Sequence, residues 1–315
     1  MEVYLAEAQR TQRVISQGNM LREQDDGLNC FSFASIRVHS RLKMILSFMI
    51  LSYFPSMNIH LRTFPNSEEL IFQTLELFRS IFATPSKGAA NGDGIMLAGG
   101  RTPLEIYRRA AADLSRRSSA KAEGLSTEAT LFLSDERYVP TCDPQSNYGG
   151  IAPFFKVEQA SCLSAHALRQ PLSHFIRVKT ELPIEEAAQA FHNDLSQIGH
   201  IPLGLLGLGA DGHTASLFNL EDAALRDERL AIPVQQCRAC VPLAQNERDA
   251  RSTFTNQRIS VTPTLLNRIE RIIILATGAE KKKMIQILLN KPETIPAGVA
   301  LADHPNVEIW TDQNI

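Results

Sequence analysis

Beyond residue 57, apolar runs of four to six residues alternate with amphipathic stretches of helical period. Asn58–Thr63 reads as a short strand. Asn66 with Glu69 three residues on forms a capping box that opens a helix to about Ala83. Ser86–Asp93 is small and polar, a loop, and Gly94–Ala98 is a compact apolar strand. After Gly99-Gly100-Arg101-Thr102-Pro103, a helix with Pro103 as its first residue runs to about Arg117. Thr130–Leu133 is the next strand and delivers Ser134–Tyr138 to its C-terminal end, and a long loop holds Asp143–Gly149. Ile184–Ile198 is a helix and Leu203–Leu206 a buried strand. Three glycines then crowd Gly207–Gly212, and the chain re-enters helix near Thr214. Further on come strands at Arg229–Val234, Arg258–Thr262, Arg271–Ala276 and Val307–Thr311. Helices are expected at Pro263–Arg268 and Glu280–Leu289, and a polar, irregular insertion at Cys237–Asn256.

Short apolar strands alternating with helices predict an α/β fold. It has three layers, α/β/α, around a mainly parallel, doubly wound, Rossmann-like sheet, in a single domain over 57–315. Residues 1–56 share none of this periodicity. They end in the apolar run Met44–Phe54, 11 residues against the ~20 that span a bilayer. The expectation is an N-terminal extension outside the fold, disordered or owed to an over-long start assignment, with the functional domain beginning near Met57.

Composition narrows the function classes only slightly. The net charge of −2 and the lack of a long basic face argue against nucleic acid and anionic membranes as partners. Five scattered cysteines are not a disulfide framework, and Cys237-x-x-Cys240 has no second pair at zinc spacing. No metal or cofactor is expected, and a reducing, cytoplasmic setting fits best.

The chemistry lies at strand ends, where such sheets bind ligands. Gly99–Thr102 joins backbone donors, a hydroxyl and a helix N-terminus in a turn suited to phosphate; a tight strand–helix turn with no ligand explains the same residues equally well. It is neither a P-loop nor a dinucleotide fingerprint. His213, following Gly209-Ala210-Asp211-Gly212, is poised for acid–base work near neutral pH, or is simply a histidine packed at a helix start. Asp135-Glu136-Arg137 is a salt-bridged rim, or supplies an oxyanion-stabilising Arg137 or a carboxylate base. Arg258 and Lys281 are ordinarily solvated charges. Lys281 sits in the first turn of a helix, against the dipole, a conflict that an anionic ligand would relieve. The other histidines lie in unremarkable settings.

Together these stretches resemble the 6-phosphogluconolactonases of the glucosamine-6-phosphate isomerase/deaminase superfamily. The matching motifs are Gly99–Pro103, Ser134–Arg137 with Ser146-Asn147-Tyr148, Gly207–Phe218, Arg258–Thr262 with Leu266-Asn267, Thr277-Gly278 with Lys281, and Pro296-Ala297. They follow the family's order from about residue 57 to the C-terminus. Deaminases typically follow Gly-His with Ile-Ala-Phe-Asn-Glu-Pro; here Gly212-His213 precedes Thr214-Ala215-Ser216-Leu217-Phe218, and Arg137 stands where deaminases tend to have tyrosine. Asn219 replaces the proline usual after Leu-Phe.

The resemblance implies metal-free hydrolysis of 6-phospho-D-glucono-1,5-lactone in the pentose phosphate pathway. His213 would activate water, with Asp211 orienting it. Arg137 and backbone N–H groups near Gly209 would stabilise the oxyanion. Gly99, Gly100, Arg101 and Thr102, with Arg258 and Lys281, would hold the phosphate, and Asp135 and Asn147 would join them in binding substrate. The expected partner is a sugar phosphate, and the expected state a monomer or small homo-oligomer. The alternatives are an amino-sugar-phosphate deaminase with Asp135 as its base, and a sugar-phosphate-sensing module that binds without turnover.

Overall fold

The apolar runs are unbroken because the sheet they form is covered on both faces. The computed structural model describes residues 59–83, 93–118, 130–155, 174–236 and 257–315. All of these fall in one compact unit, Phe54–Ile315. The expectations for residues 1–56, for a start near Met57, for most of the 86–93 loop and for the Cys237–Asn256 stretch lie outside the described residues, as does the Cys237/Cys240 pair.

The elements, in chain order, begin with β1 (Ile59–Thr63), α1 (Ser67–Ala83), β2 (Asp93–Leu97), α2 (Arg101–Ser118), β3 (Thr130–Leu133) and β4 (Asp135–Arg137). Next come α3 (Asn147–Ile151), β5 (His174–Ile176), α4 (Ile184–Ser196), β6 (His200–Gly207), α5 (Leu220–Ala223), β7 (Ala231–Gln235) and β8 (Gln257–Val261). The chain closes with α6 (Pro263–Leu266), β9 (Ile272–Leu275), α7 (Lys282–Asn290), α8 (Pro296–Ala300) and β10 (Val307–Thr311).

Within each central strand the side chains alternate between two cores. Ile95, Leu97, Leu131, Leu205 and Ile273 face α1 and α2, meeting Leu70, Phe78, Ile106 and Tyr107. Met96, Phe132, Leu206 and Ile274 face the other way, onto Phe191 and Leu195 of α4 and Ile285 and Leu288 of α7. The capping box at α1 is half formed. Asn66 Oδ1 accepts the Glu69 N–H at 2.9 Å, but the Glu69 carboxylate turns to Gln73.

Seven strands pair in the order β1-β10-β9-β6-β2-β3-β5, all parallel. From β2 the chain winds outward through β3 to β5; from β6 it winds the opposite way through β9 to β10. The order therefore reverses between β2 and β6, and the turns after these two strands lie side by side at the switch point, where open α/β sheets bind ligands.

The single sheet expected from the sequence is not the whole. A second sheet, β4-β8-β7, is antiparallel, with Asp135 opposite Ser260 and Arg137 opposite Arg258. β4 follows β3 after one residue, Ser134, so both read as one run in the sequence. β5 is three residues long and carries no pattern that could announce it. Among the described residues no helix is long and apolar enough to cross a membrane.

One histidine is not in an ordinary setting. At the opposite, N-terminal rim of the sheet, His200 Nδ1 lies 3.0 Å from Asp93 Oδ1 and its Nε2 3.0 Å from Glu270 Oε2. Burial of the ring opposes its charge, but the two carboxylates outweigh that and raise the His200 pKa. A raised histidine pKa stabilises the fold fully below the unfolded value of about 6.5, and the contribution is lost as pH climbs through the folded value. Since the ring is 40% exposed, the effect should stay below about 1 kcal/mol. Denaturant titrations of wild type and His200→Gln should thus converge as pH rises from 6 to 9; a gap that widens would contradict the assignment.

Candidate active site

The turn after β2 is held by Tyr107 of α2. Its buried hydroxyl accepts the Ala98 N–H at 2.9 Å and donates to the Ala98 carbonyl at 3.0 Å; burial pushes its pKa up. Gly99 lies against the Asn147 amide so closely that a Cβ would stand 2.8 Å from Asn147 Cγ. Gly100 then turns the chain at φ +106°, and its carbonyl accepts the Leu104 N–H, closing the first turn of α2. That helix starts at Arg101, so Pro103 is its third residue and not, as expected, its first. The change costs nothing, because the third N–H of a helix also lacks an internal partner. Arg101 is exposed, and the Thr102 hydroxyl bonds that of Thr277 at 2.6 Å, linking this turn to the one after β9.

Glu136 looks like a surface charge in the sequence but is 2% exposed. Its carboxylate accepts the N–H groups of Arg137, Asn147 and Tyr148 at 2.7–2.8 Å and the Ser146 hydroxyl at 3.2 Å. It thereby fills the open donors at the start of α3, where the Ser146 side chain also caps Gly149 N. Burial raises the Glu136 pKa against the pull of these bonds. The loop expected at 143–149 therefore ends in a short helix that presents Asn147. The Asn147 amide donates to the Asp135 carbonyl at 2.9 Å and accepts from Arg137 Nη1 at 2.6 Å.

The turn after β6 carries His213, and here the expected helix near Thr214 is absent. Thr214 and Leu217 form an isolated bridge, and Ala215 is left-handed at φ +47°. The imidazole therefore does not sit at the N-terminus of the expected helix. Its Nδ1 instead bonds Asp211 Oδ1, and the Phe218 ring packs against the imidazole at 4.8 Å between centroids, tilted by 55°. Partial burial opposes the Asp211 charge, but the hydrogen bond and charge of His213 outweigh it and hold the carboxyl below the usual range. With Nδ1 taken, Nε2 is the nitrogen left for proton transfer. Gly209 is required for packing: a Cβ there would stand 2.5 Å from Asp211 Oδ1 and strike the ring. The Gly209 N–H, expected among the oxyanion donors, is bonded to the His213 carbonyl at 2.8 Å. Asn219, in place of the usual proline, caps α5 by accepting the Asp222 N–H at 2.7 Å.

Two guanidinium groups meet across the β4–β8 register at Arg137 and Arg258. The Nε of each is buried without a hydrogen-bond partner among the described residues. Like charges opposite each other destabilise a strand pair, and an orphaned buried donor costs about 1–3 kcal/mol. Burial lowers the Arg258 pKa; the Asp135 and Glu136 carboxylates oppose this and Arg137 adds to it. Arg258 also sits over the Phe218 ring at 5.7 Å. An anion between the two guanidinium groups would relieve both penalties. Lys281 lies in a 3-10 turn ahead of α7, not in its first turn, and its amine donates to the Leu208 carbonyl at 2.8 Å, which resolves the dipole conflict.

The expected residues thus form one connected series. Gly99 abuts Asn147, Asn147 holds Arg137, Arg137 pairs with Arg258, and Arg258 reaches Phe218, which packs on His213, while Thr102 and Lys281 join from the neighbouring turns. Glu136, Ser216, Phe218 and Thr277 also build the site; of these only Phe218 and Ser216 stood within the His213 motif, and no local signal marks a buried glutamate.

A switch-point rim with paired cations and a carboxylate-held imidazole suits a small anionic ligand handled by acid–base chemistry. The chain belongs to the glucosamine-6-phosphate isomerases/6-phosphogluconolactonase family, whose model matches residues 83–310. It is 30% identical over 207 residues to the 6-phosphogluconolactonase of Thermotoga maritima, covering 63% of this chain and 76% of that one. To human 6-phosphogluconolactonase it is 28% identical over 254 residues, covering 78% and 88%. The structure of 6-phosphogluconolactonase from Trypanosoma brucei shares the fold at TM-score 0.60 and 22% identity, over 81% of this chain and 97% of that. A monomeric glucosamine-6-phosphate deaminase shares it almost equally, at TM-score 0.59 and 18% identity over 82% and 98%. The fold alone does not separate the two chemistries.

Proposed function

We propose that the protein hydrolyses 6-phospho-D-glucono-1,5-lactone to 6-phosphogluconate, and that the reading rests chiefly on the Asp211–His213 pair. With Asp211 accepting from Nδ1, Nε2 carries a lone pair. It takes a proton from water as the water oxygen bonds to the lactone carbonyl carbon. The guanidinium group of Arg137 neutralises the oxyanion, joined there by Arg258, and both draw the anionic substrate in. Arg258 was expected at the phosphate but stands opposite Arg137 in the strand pairing. Collapse breaks the bond from that carbon to the ring oxygen, and Nε2 returns the proton to the leaving oxygen. The phosphate lies at the α2 N-terminus against Gly99, Gly100, Arg101 and Thr102, with Lys281 beside it. Fixing this remote end lets binding energy orient the carbonyl. Asp135 and Asn147 shape the site from behind. On this reading the enzyme works in the oxidative branch of the pentose phosphate pathway, in the cytoplasm, as a monomer or small homo-oligomer.

Against the deaminase alternative stands the state of Asp135. Its Oδ1 accepts from the Ser134 hydroxyl at 2.9 Å and its Oδ2 from that of Ser216 at 2.7 Å, and the residue is only 8% exposed. Each oxygen is thus engaged by the protein frame, which weighs against a base turned to substrate. The deciding assay follows 6-phosphogluconate formation from freshly generated lactone over an enzyme-free blank, with ammonia release from glucosamine 6-phosphate in parallel. Hydrolysis without ammonia is expected; ammonia without hydrolysis would transfer the protein to the deaminase branch.

A further inference from the structure

We propose that Ser216 is a positioning residue that sets His213 through a buried latch to Asp135; the proposal rests on the lactonase reading above. From Gly207 to Phe218 the chain leaves the parallel sheet without entering helix or strand, so no ladder fixes the imidazole. Ties within the loop close it on itself: the Thr214 hydroxyl donates to the Gly207 carbonyl at 2.9 Å, and the Leu217 N–H to the Thr214 carbonyl at 3.0 Å. Among the described residues, the hydrogen bonds joining this loop to the second sheet both come from Ser216. Its N–H donates to Ser260 Oγ at 3.2 Å and its hydroxyl to Asp135 Oδ2 at 2.7 Å.

The latch is rigid at its far end. Asp135 lies in the β4–β8 pairing and its carbonyl is held by Asn147, so its backbone is fixed without the Ser134 hydroxyl. Ser216, Ser260 and Asp135 are all buried, where a hydrogen bond to a carboxylate is strong and poorly replaced by water. Ala215, just before Ser216, is held left-handed, a conformation that persists in a non-glycine residue only when its surroundings over-determine it. The reversal there lets His213 stay at the surface while Ser216 points inward. The loop is also tied at Gly212, whose carbonyl accepts the Ala297 N–H at 2.9 Å, and at Leu208, whose carbonyl accepts from Lys281, but both ties precede His213. Because His213 and Phe218 touch each other on either side of Ser216, the Ser216 tether is the one that fixes the following segment and the face on which the ring packs.

The test compares Ser216→Ala with Ser134→Ala, which deletes the other buried hydroxyl on Asp135 but no tie to the loop. A misplaced catalytic group can cost about 10²-fold. In Ser216→Ala kcat is expected to fall about 10- to 100-fold with KM nearly unchanged. The downfield proton resonance of His213 Nδ1, identified by its absence in His213→Ala, should broaden or vanish. Ser134→Ala should lose similar thermal stability but keep both kcat and the resonance. Wild-type kcat in Ser216→Ala, or equal losses in the two variants, would reduce the latch to a structural contact and overturn the proposal. A wild-type protein that fails to hydrolyse the lactone would sink the lactonase reading instead, and the resonance comparison would still decide the latch.

Discussion

Replacing His213 with alanine is expected to remove about 10²–10⁴-fold of the lactone hydrolysis rate while leaving the fold intact. The size follows from the role: a positioned base is lost, but the guanidinium pair and the phosphate turn still bind and polarise the substrate. The fold should survive because the ring is partly exposed, 27% by side-chain area, and lies in a loop closed by its own backbone bonds. The measurement is kcat and KM on fresh lactone, with added imidazole as a replacement base. A fall in kcat at little-changed KM, partly restored by imidazole, is the expected pattern. Turnover within a few-fold of wild type would remove His213 from the mechanism.

The sequence reveals the sheet because buried parallel strands are continuous apolar runs, and it reveals the two switch-point turns because glycines cluster where the backbone must approach something closely. Gly99 and Gly209 illustrate this: each is needed to let a polar side chain, Asn147 or His213, lie against the main chain. What stays hidden depends on partners far along the chain. Thr214–Phe218 has helix-compatible spacing, yet Ala215 turns left-handed, because Ser216 is drawn to a carboxylate 81 residues away. Glu136 has the look of a solvated rim charge, but four donors supplied mostly by the α3 start bury it. β7 contains Pro233 and lies at the edge of a sheet whose other members are distant in sequence, so only its existence, not its pairing, can be read locally. The pairing of Arg137 with Arg258 is a matter of antiparallel register, which composition and periodicity do not encode.

That pairing carries the second large prediction, in which activity and stability move apart. Arg258→Met keeps an apolar stem over Phe218 but removes the charge facing Arg137 and the orphaned buried Nε. It gives up a 3.1 Å hydrogen bond to Gln236, a partly exposed side chain that water can serve instead. It also leaves Asp135 with less positive charge nearby, but both oxygens of that carboxylate remain hydrogen-bonded. Relief of an unpartnered donor and a like-charge contact, about 1–3 kcal/mol for the donor alone, should offset these losses. The thermal midpoint in the absence of ligand is therefore expected to hold or rise. kcat/KM should nevertheless fall about 10²–10³-fold, the scale of losing one charged donor at a developing oxyanion. The product 6-phosphogluconate offers an independent readout, because its carboxylate would meet the guanidinium pair and a bound anion stabilises only the form that binds it. It should raise the wild-type midpoint in a concentration-dependent way and the variant's much less. A midpoint that drops while turnover persists would make Arg258 a structural cation, and would leave the two unpartnered guanidinium nitrogens without a functional reason. If an anion completes this strand pair, as proposed, the stability that the free protein forgoes there reappears as affinity for that charge.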